Sequence, residues 1–148
     1  MKLAHRLLIV ILVLILCLPA AACFTKDTDY LEKDLLTLAD MERLFKNEGF
    51  KLAKAGKDKL MQFTQRQKSA AAYIVEGDPD HILIIYVFES AEQRERAMED
   101  YSVFTSTASM LYHRILGAKN ILVILFAGFP ASEYYEKMAT AMERARTS

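Results

Sequence analysis

The stretch "AAYIVEGDPDHILIIYVFES", residues 71–90, gives the clearest indication of the fold. It contains two runs rich in β-branched and aromatic residues, 71–75 and 82–88, with turn-favouring residues between them. This order predicts a β-hairpin. Because residues 82–88 are apolar at nearly every position, we expect them to form a central strand that is covered on both faces. The residues expected in the turn are Gly77, Asp78, Pro79 and Asp80.

A second hairpin is predicted further along the chain. The stretches "SMLYHRI" (109–115) and "ILVILFA" (121–127) have the composition of strands. Because residues 121–126 are as apolar as residues 82–88, we expect the two strands to be neighbours at the centre of one sheet. The second turn is expected at Gly117, Ala118, Lys119 and Asn120.

The segment before the first hairpin predicts a helix and at least one strand. Apolar residues recur at steps of three and four from about residue 30 to residue 47, which indicates an amphipathic helix. Asp29 and Glu32 have the spacing of a capping box, and Gly49 is suited to ending the helix. Residues 50–63 alternate only weakly, so we expect a strand followed by a second short strand or an irregular segment.

Two further helices are expected after the strands. Ser90 and Gln93 repeat the capping-box spacing and begin a polar helix that runs to Tyr101. Pro130 and Ser132 begin the last helix. The inward side of the polar helix is expected to comprise Ala91, Ala97, Met98 and Tyr101, and the apolar stripe of the last helix comprises Tyr134, Met138, Ala141, Met142 and Ala145.

The order of these elements predicts the fold class. The unit strand–strand–helix occurs twice, and 148 residues are enough for one domain. We predict a single α+β domain over residues 30–148, with a mainly antiparallel sheet of four to five strands and about three helices. The helices are expected on one face of the sheet.

The N-terminal segment is typical of an export signal. Lys2, His5 and Arg6 precede the apolar run "LLIVILVLILCLPAAA" (7–22), in the order that a secretory signal requires. The run has 16 residues, whereas a helix needs about 20 apolar residues to cross a bilayer. We predict a signal peptide over residues 1–22, and a retained signal anchor is the alternative.

The tetrapeptide "AAAC", residues 20–23, resembles the lipobox of bacterial lipoproteins, although that family usually has leucine at the position of Ala20. The resemblance implies cleavage after Ala22, diacylation of Cys23 and a location on the extracytoplasmic face of the cell membrane. Residues 23–29 then form a short tether. The resemblance is confined to the first 23 residues, and a chance cysteine beside an ordinary cleavage site is the alternative.

Cysteine content and charge exclude several function classes. Residues 24–148 contain no cysteine, so this part of the chain has no disulfide framework and no thiolate metal site. From Cys23 onward there are 17 basic and 19 acidic residues, and this balance does not favour a nucleic-acid partner.

Basic residues are concentrated between residues 46 and 68, where seven of them accompany two acidic residues. A segment of this charge is typical of a solvated edge strand that its lysines protect from aggregation. The alternative is contact with anionic headgroups beside the lipid anchor, where each lysine near the surface adds about 1 kcal/mol. The residues predicted to contact the membrane surface are Lys51, Lys54, Lys57 and Lys59.

The sequence contains no recognisable catalytic constellation. It has neither a "GxSxG" motif nor a glycine-rich phosphate loop, and we expect no cofactor and no metal site. We therefore expect a non-enzymatic lipoprotein, attached to the membrane through Cys23, that binds a protein or ligand of the cell envelope. The alternative is a membrane-tethered enzyme or solute-binding component in which His81 or His113 acts as the base.

Overall fold

The computed structural model describes residues 34–107, 113–126 and 132–148. These residues form one α+β domain with a five-stranded antiparallel sheet and three α-helices, as the sequence predicted. The elements are α1 (Leu38–Asn47), β1 (Leu52–Lys54), a 3-10 helix (Lys57–Lys59), β2 (Ser69–Val75), β3 (Asp78–Val87), α2 (Ala91–Thr107), β4 (His113–Ala118), β5 (Ile121–Phe126) and α3 (Ser132–Thr147).

The strand order is β1-β2-β3-β5-β4, so β3 and β5 are neighbours at the centre of the sheet. Their register places Ile84 opposite Ile124 and Ile85 opposite Val123, and all four side chains are buried. The predicted pairing of the two most apolar runs is therefore confirmed. β1 and β4 form the two edges.

Both predicted hairpins are present, but each turn is shorter than expected. Between β2 and β3 only Glu76 and Gly77 lie outside the strands, because Gly77 has the positive φ of 88° that a tight turn requires. Asp78 already pairs with Val75, and the predicted turn through Asp80 is wrong in extent. In the second hairpin, likewise, the turn consists of Lys119 and Asn120 alone.

The helices lie on both faces of the sheet, so the expectation that they share one face was wrong. Side chains of β3 alternate: Leu83 and Ile85 pack with α1 and α3, whereas Ile84 and Tyr86 pack with α2. The physical reason is that β3 and β5 are apolar on both faces, and each face needs its own cover. The predicted stripe of α3 is confirmed, with Met138 in the first of these cores.

Helix α1 begins later than predicted. Residues 35–37 are not helical, and the capping box that starts the helix is formed by Thr37 and Asp40. The Thr37 side chain accepts a hydrogen bond from the Asp40 N–H, and the Asp40 carboxylate accepts one from the Thr37 N–H. Asp29 and Glu32, the predicted box, lie outside the described residues, as does Pro130.

The weakly alternating segment after α1 contains one strand. β1 is only three residues long, and the 3-10 helix follows it in place of a second strand. Among the described residues no helix has the length and apolarity that crossing a bilayer requires.

Candidate functional site

A groove of about 600 Å³ lies between α1 and the edge strand β1. The end of α1 creates it: Gly49 has a φ of 83°, and the chain reverses there. Phe50 is then buried against Phe45, with ring centroids 5.2 Å apart, and this contact fixes the path into β1. The reversal places Lys46 of α1 on the same groove as Lys51 and Lys54.

The floor of the groove contains a hydrogen-bonded carboxylate. The Tyr73 hydroxyl donates to Glu42, which lies 31 positions earlier in the sequence. Burial raises the pKa of Tyr73 far above its usual value, and the hydrogen bond to Glu42 raises it further. Tyr73 therefore remains a neutral donor, and its hydroxyl proton is already used by Glu42.

The charges in the groove are only partly compensated. Lys54 Nζ lies 3.9 Å from Glu42 Oε1, at the limit of an ion pair. Within the described residues, Lys46 and Lys51 form no ion pair, and both are exposed residues on the groove lining. Glu76 is the other carboxylate on the lining. The groove thus presents three ammonium groups against two carboxylates, and it favours an anionic group.

The structure separates the four lysines that were predicted to contact the membrane surface. Lys51 and Lys54 line the groove, whereas Lys57 and Lys59 lie exposed on the 3-10 helix. Lys59 also lies near a carboxylate, with Nζ 3.5 Å from Asp58 Oδ2. The lipid-attachment and cleavage residues, Cys23 and Ala22, lie outside the described residues.

His81 is buried on the face of the sheet that α1 and α3 cover. Its ring centroid lies 4.7 Å from that of Tyr134, and its Nδ1 lies 2.7 Å from Asp78 Oδ1. This is an ion-pair distance, and neither imidazole nitrogen forms a hydrogen bond within the described chain. No hydroxyl nucleophile is therefore joined to His81 by a hydrogen bond there.

His113 lies on the opposite face of the sheet. Its ring contacts Tyr101 at 5.4 Å and Phe126 at 6.1 Å, and both belong to the core beneath α2. The sheet therefore separates the two histidines, which cannot act in one site. The described residues also contain no group of three or more side chains placed to hold a metal ion.

No protein-family model, curated protein or solved structure matches this chain. The groove is the candidate site that the described residues present. Its lysines are visible in the sequence as a local charge excess, but Glu42 and Tyr73 are not. From the sequence alone, Tyr73 is expected to be a core residue. Only the packing of α1 over β2 places its hydroxyl at the Glu42 carboxylate.

Proposed function

We propose that this protein is a lipid-anchored binding module on the extracytoplasmic face of the cell membrane, and that its groove binds a ligand or partner protein of the envelope. The observation that carries the binding role is the groove between α1 and β1, with its unpaired Lys46 and Lys51. The anchor is supported by "AAAC" (20–23), in which Cys23 is the lipid-attachment residue.

An anionic group in the groove would relieve the repulsion among its ammonium groups. A volume of about 600 Å³ is in the range of pockets that enclose small ligands or a few side chains. The apolar walls at Phe50 and Leu52 exclude water from one side and strengthen the attraction. Since exposed charges are screened by salt over about 8 Å at physiological ionic strength, binding is expected to weaken as salt rises.

The two pairs of lysines have separate roles in this proposal. Lys51 and Lys54 bind the ligand because they line the groove, whereas Lys57 and Lys59 contact anionic headgroups from the exposed 3-10 helix. Each lysine near such a surface adds about 1 kcal/mol to membrane binding.

The anchor is tested by the intact mass and N-terminal peptide of the membrane-extracted protein, beside a Cys23→Ser variant. A mature chain that begins at diacylglyceryl-Cys23, with an unprocessed variant, is the expected result. A full-length chain with Met1 and no lipid would make residues 7–22 a signal anchor. An unlipidated chain cut near Ala22 would mean a released protein.

The groove is tested by complementation of a strain that lacks the gene, with survival of envelope stress as the readout. Lys51→Glu with Lys54→Glu is expected to fail, while the matched control, Lys68→Glu with Arg96→Glu, makes the same change in charge at exposed residues outside the groove. Equal loss in both variants would indicate a general surface charge effect. Failure of a folded His81→Gln variant alone would instead favour an enzyme.

A further inference from the structure

The outer edge of β1 has backbone groups that no other strand of the described residues uses. Lys51 C=O accepts a hydrogen bond from Glu76 N–H, and Ala55 N–H donates to Ala72 C=O. These two bonds determine which backbone N–H and C=O groups of β1 point toward β2. Because hydrogen bonding alternates along an antiparallel pair, Leu52 and Lys54 direct their N–H and C=O groups away from the sheet.

No described strand pairs with this edge, since β1 is the last strand on its side of the sheet. α1 packs over β2 and β3, and it leaves the edge of β1 beside the groove. The edge therefore presents two N–H donors and two C=O acceptors in alternation. This is the arrangement that an added strand recognises.

The mixture of donors and acceptors discriminates between ligand classes. A phosphate or other small anion would accept from the two N–H groups, but it would also lie against the two carbonyl oxygens. A peptide in extended conformation supplies both donors and acceptors at the same spacing as the edge. The backbone of β1 therefore favours a peptide over a small anion.

The side chains around the edge define the charge of that peptide. Lys54 and Tyr73 are directly opposite each other in the register, so the Lys54 side chain lies on the face that α1 covers. Lys46 approaches the groove from α1 on that same face. Alternate side chains of an added strand would point toward these lysines, and acidic residues at those positions would complement them.

We propose that the groove binds an extended acidic segment of an envelope protein, which adds as a strand to the outer edge of β1. This inference rests on the proposed role of the groove as the ligand site. Leu52 and Lys54 form the backbone hydrogen bonds, and Lys46 and Lys54, on the face that α1 covers, select acidic side chains.

The test uses full-length protein in detergent micelles and a peptide of about eight residues in which Thr and Glu alternate. Saturable binding is expected, with chemical-shift changes centred on the amides of Leu52 and Lys54. A peptide with Lys in place of Glu is expected to bind with at least roughly tenfold lower affinity, because its charges repel those of the groove lysines.

Backbone pairing is tested by N-methylation of alternate residues in the acidic peptide, in both possible phases. One phase is expected to lose binding by roughly tenfold and the other to retain it, because only alternate N–H groups face β1. On the protein, Lys54→Pro is expected to bind about tenfold more weakly than Lys54→Ala, since both lose the charge but only proline removes the outward N–H.

Equal binding of all acidic peptides would overturn strand addition and leave an anion-binding groove. Absence of binding by the acidic peptide would overturn the inference as well. In either case, loss of complementation by the Lys51 and Lys54 variants would still uphold the groove as the ligand site. If the Lys51 and Lys54 variants complement fully, both the proposed groove function and the strand-addition inference are wrong.

Discussion

The side-chain amide of Asn120 joins three separate parts of the chain. Its Oδ1 accepts a hydrogen bond of 2.8 Å from Leu36 N–H, and its Nδ2 donates to Leu36 C=O and Phe88 C=O, both at 2.9 Å. Asn120 is 1% exposed, so no solvent replaces these bonds when the side chain is removed. The residue holds the chain before α1 against the β4–β5 turn.

We predict that Asn120→Ala lowers the free energy of unfolding by about 3 kcal/mol. Three hydrogen bonds are lost, and the partly buried backbone groups of Leu36 and the buried C=O of Phe88 are left without partners. Urea denaturation followed by circular dichroism measures the change. Asn47→Ala is the control, because Asn47 is exposed and a surface substitution changes stability by less than about 0.5 kcal/mol. Equal effects in the two variants would disprove the role of Asn120.

Two buried tyrosines in the core between α2 and the sheet differ in the hydrogen bonding of their hydroxyls. Tyr86 Oη donates to Met61 C=O at 2.9 Å and accepts from Met61 N–H at 3.1 Å. The Tyr101 hydroxyl is buried without a hydrogen-bond partner in the described chain, although its ring packs edge-on to Phe63. Burial raises the pKa of each to about 12, and proximity to Tyr86 adds to the rise at Tyr101.

We predict opposite effects when each hydroxyl is removed. Tyr101→Phe is expected to leave stability at neutral pH unchanged or to raise it by up to about 1 kcal/mol, because an unpaired buried group disappears. Tyr86→Phe is expected to cost about 1–2 kcal/mol, because Met61 loses both bonds. Urea denaturation of the two variants at neutral pH measures these changes, and a loss of stability in Tyr101→Phe would contradict the assignment.

The same tyrosines predict the response to alkali. Above about pH 10 the unfolded chain loses tyrosine protons, whereas Tyr86 and Tyr101 retain theirs up to about pH 12 in the fold. The unfolded state then binds fewer protons, so stability falls as pH rises from 10 to 12. Urea denaturation across this range is expected to show a shallower fall in Tyr101→Phe than in the parent. Identical slopes would contradict the prediction.

The start of α1 depends on a local pair of residues. Thr37 and Asp40 satisfy each other's backbone N–H groups, and hydrogen bonds from Thr37 hold the pKa of Asp40 below its usual value. Arg43 adds to the lowering with a contact of 2.7 Å. α1 carries Glu42 and Lys46, so the position of one side of the groove follows from this cap.

We predict that Thr37→Ala lowers the free energy of unfolding by about 1 kcal/mol, the usual cost of losing an N-cap side chain. Thermal denaturation measures it. Thr140→Ala is the control, since Thr140 is exposed in α3 and alanine favours helix interiors. The stabilisation from the Asp40 carboxylate is present above the pKa of Asp40 in the unfolded chain, and it is lost as pH falls through the lower pKa of the folded chain. The stabilities of the parent and of Thr37→Ala should therefore converge in acid. An equal loss in Thr140→Ala would contradict the cap.

The sequence predicted the helices and strands better than it predicted which face of the sheet each helix covers. The apolar runs at β3 and β5 require burial on both sides, and this is visible locally. The face that each helix covers depends on the path of the chain between the strands. Hydrophobic periodicity does not predict that path. The groove shows the same limit, because Lys54 belongs to a visible charge excess but Glu42 and Tyr73 meet only through packing.

One sheet is shared by two cores, and this predicts a single cooperative unfolding transition. Ile84 and Ile85 are neighbours in β3 with 1% and 0% exposure, yet they lie in different cores. Ile84→Val and Ile85→Val each remove one methylene group, and each is expected to cost about 0.5–1.5 kcal/mol. Because removal of either cover exposes the same strand, both variants should shift one common midpoint with an unchanged denaturant slope. Far-UV circular dichroism measures the loss of secondary structure, and tyrosine fluorescence measures the loss of packing in both cores, since Tyr73 lies in one and Tyr86 in the other. Separate midpoints for the two probes would show that the two layers unfold independently.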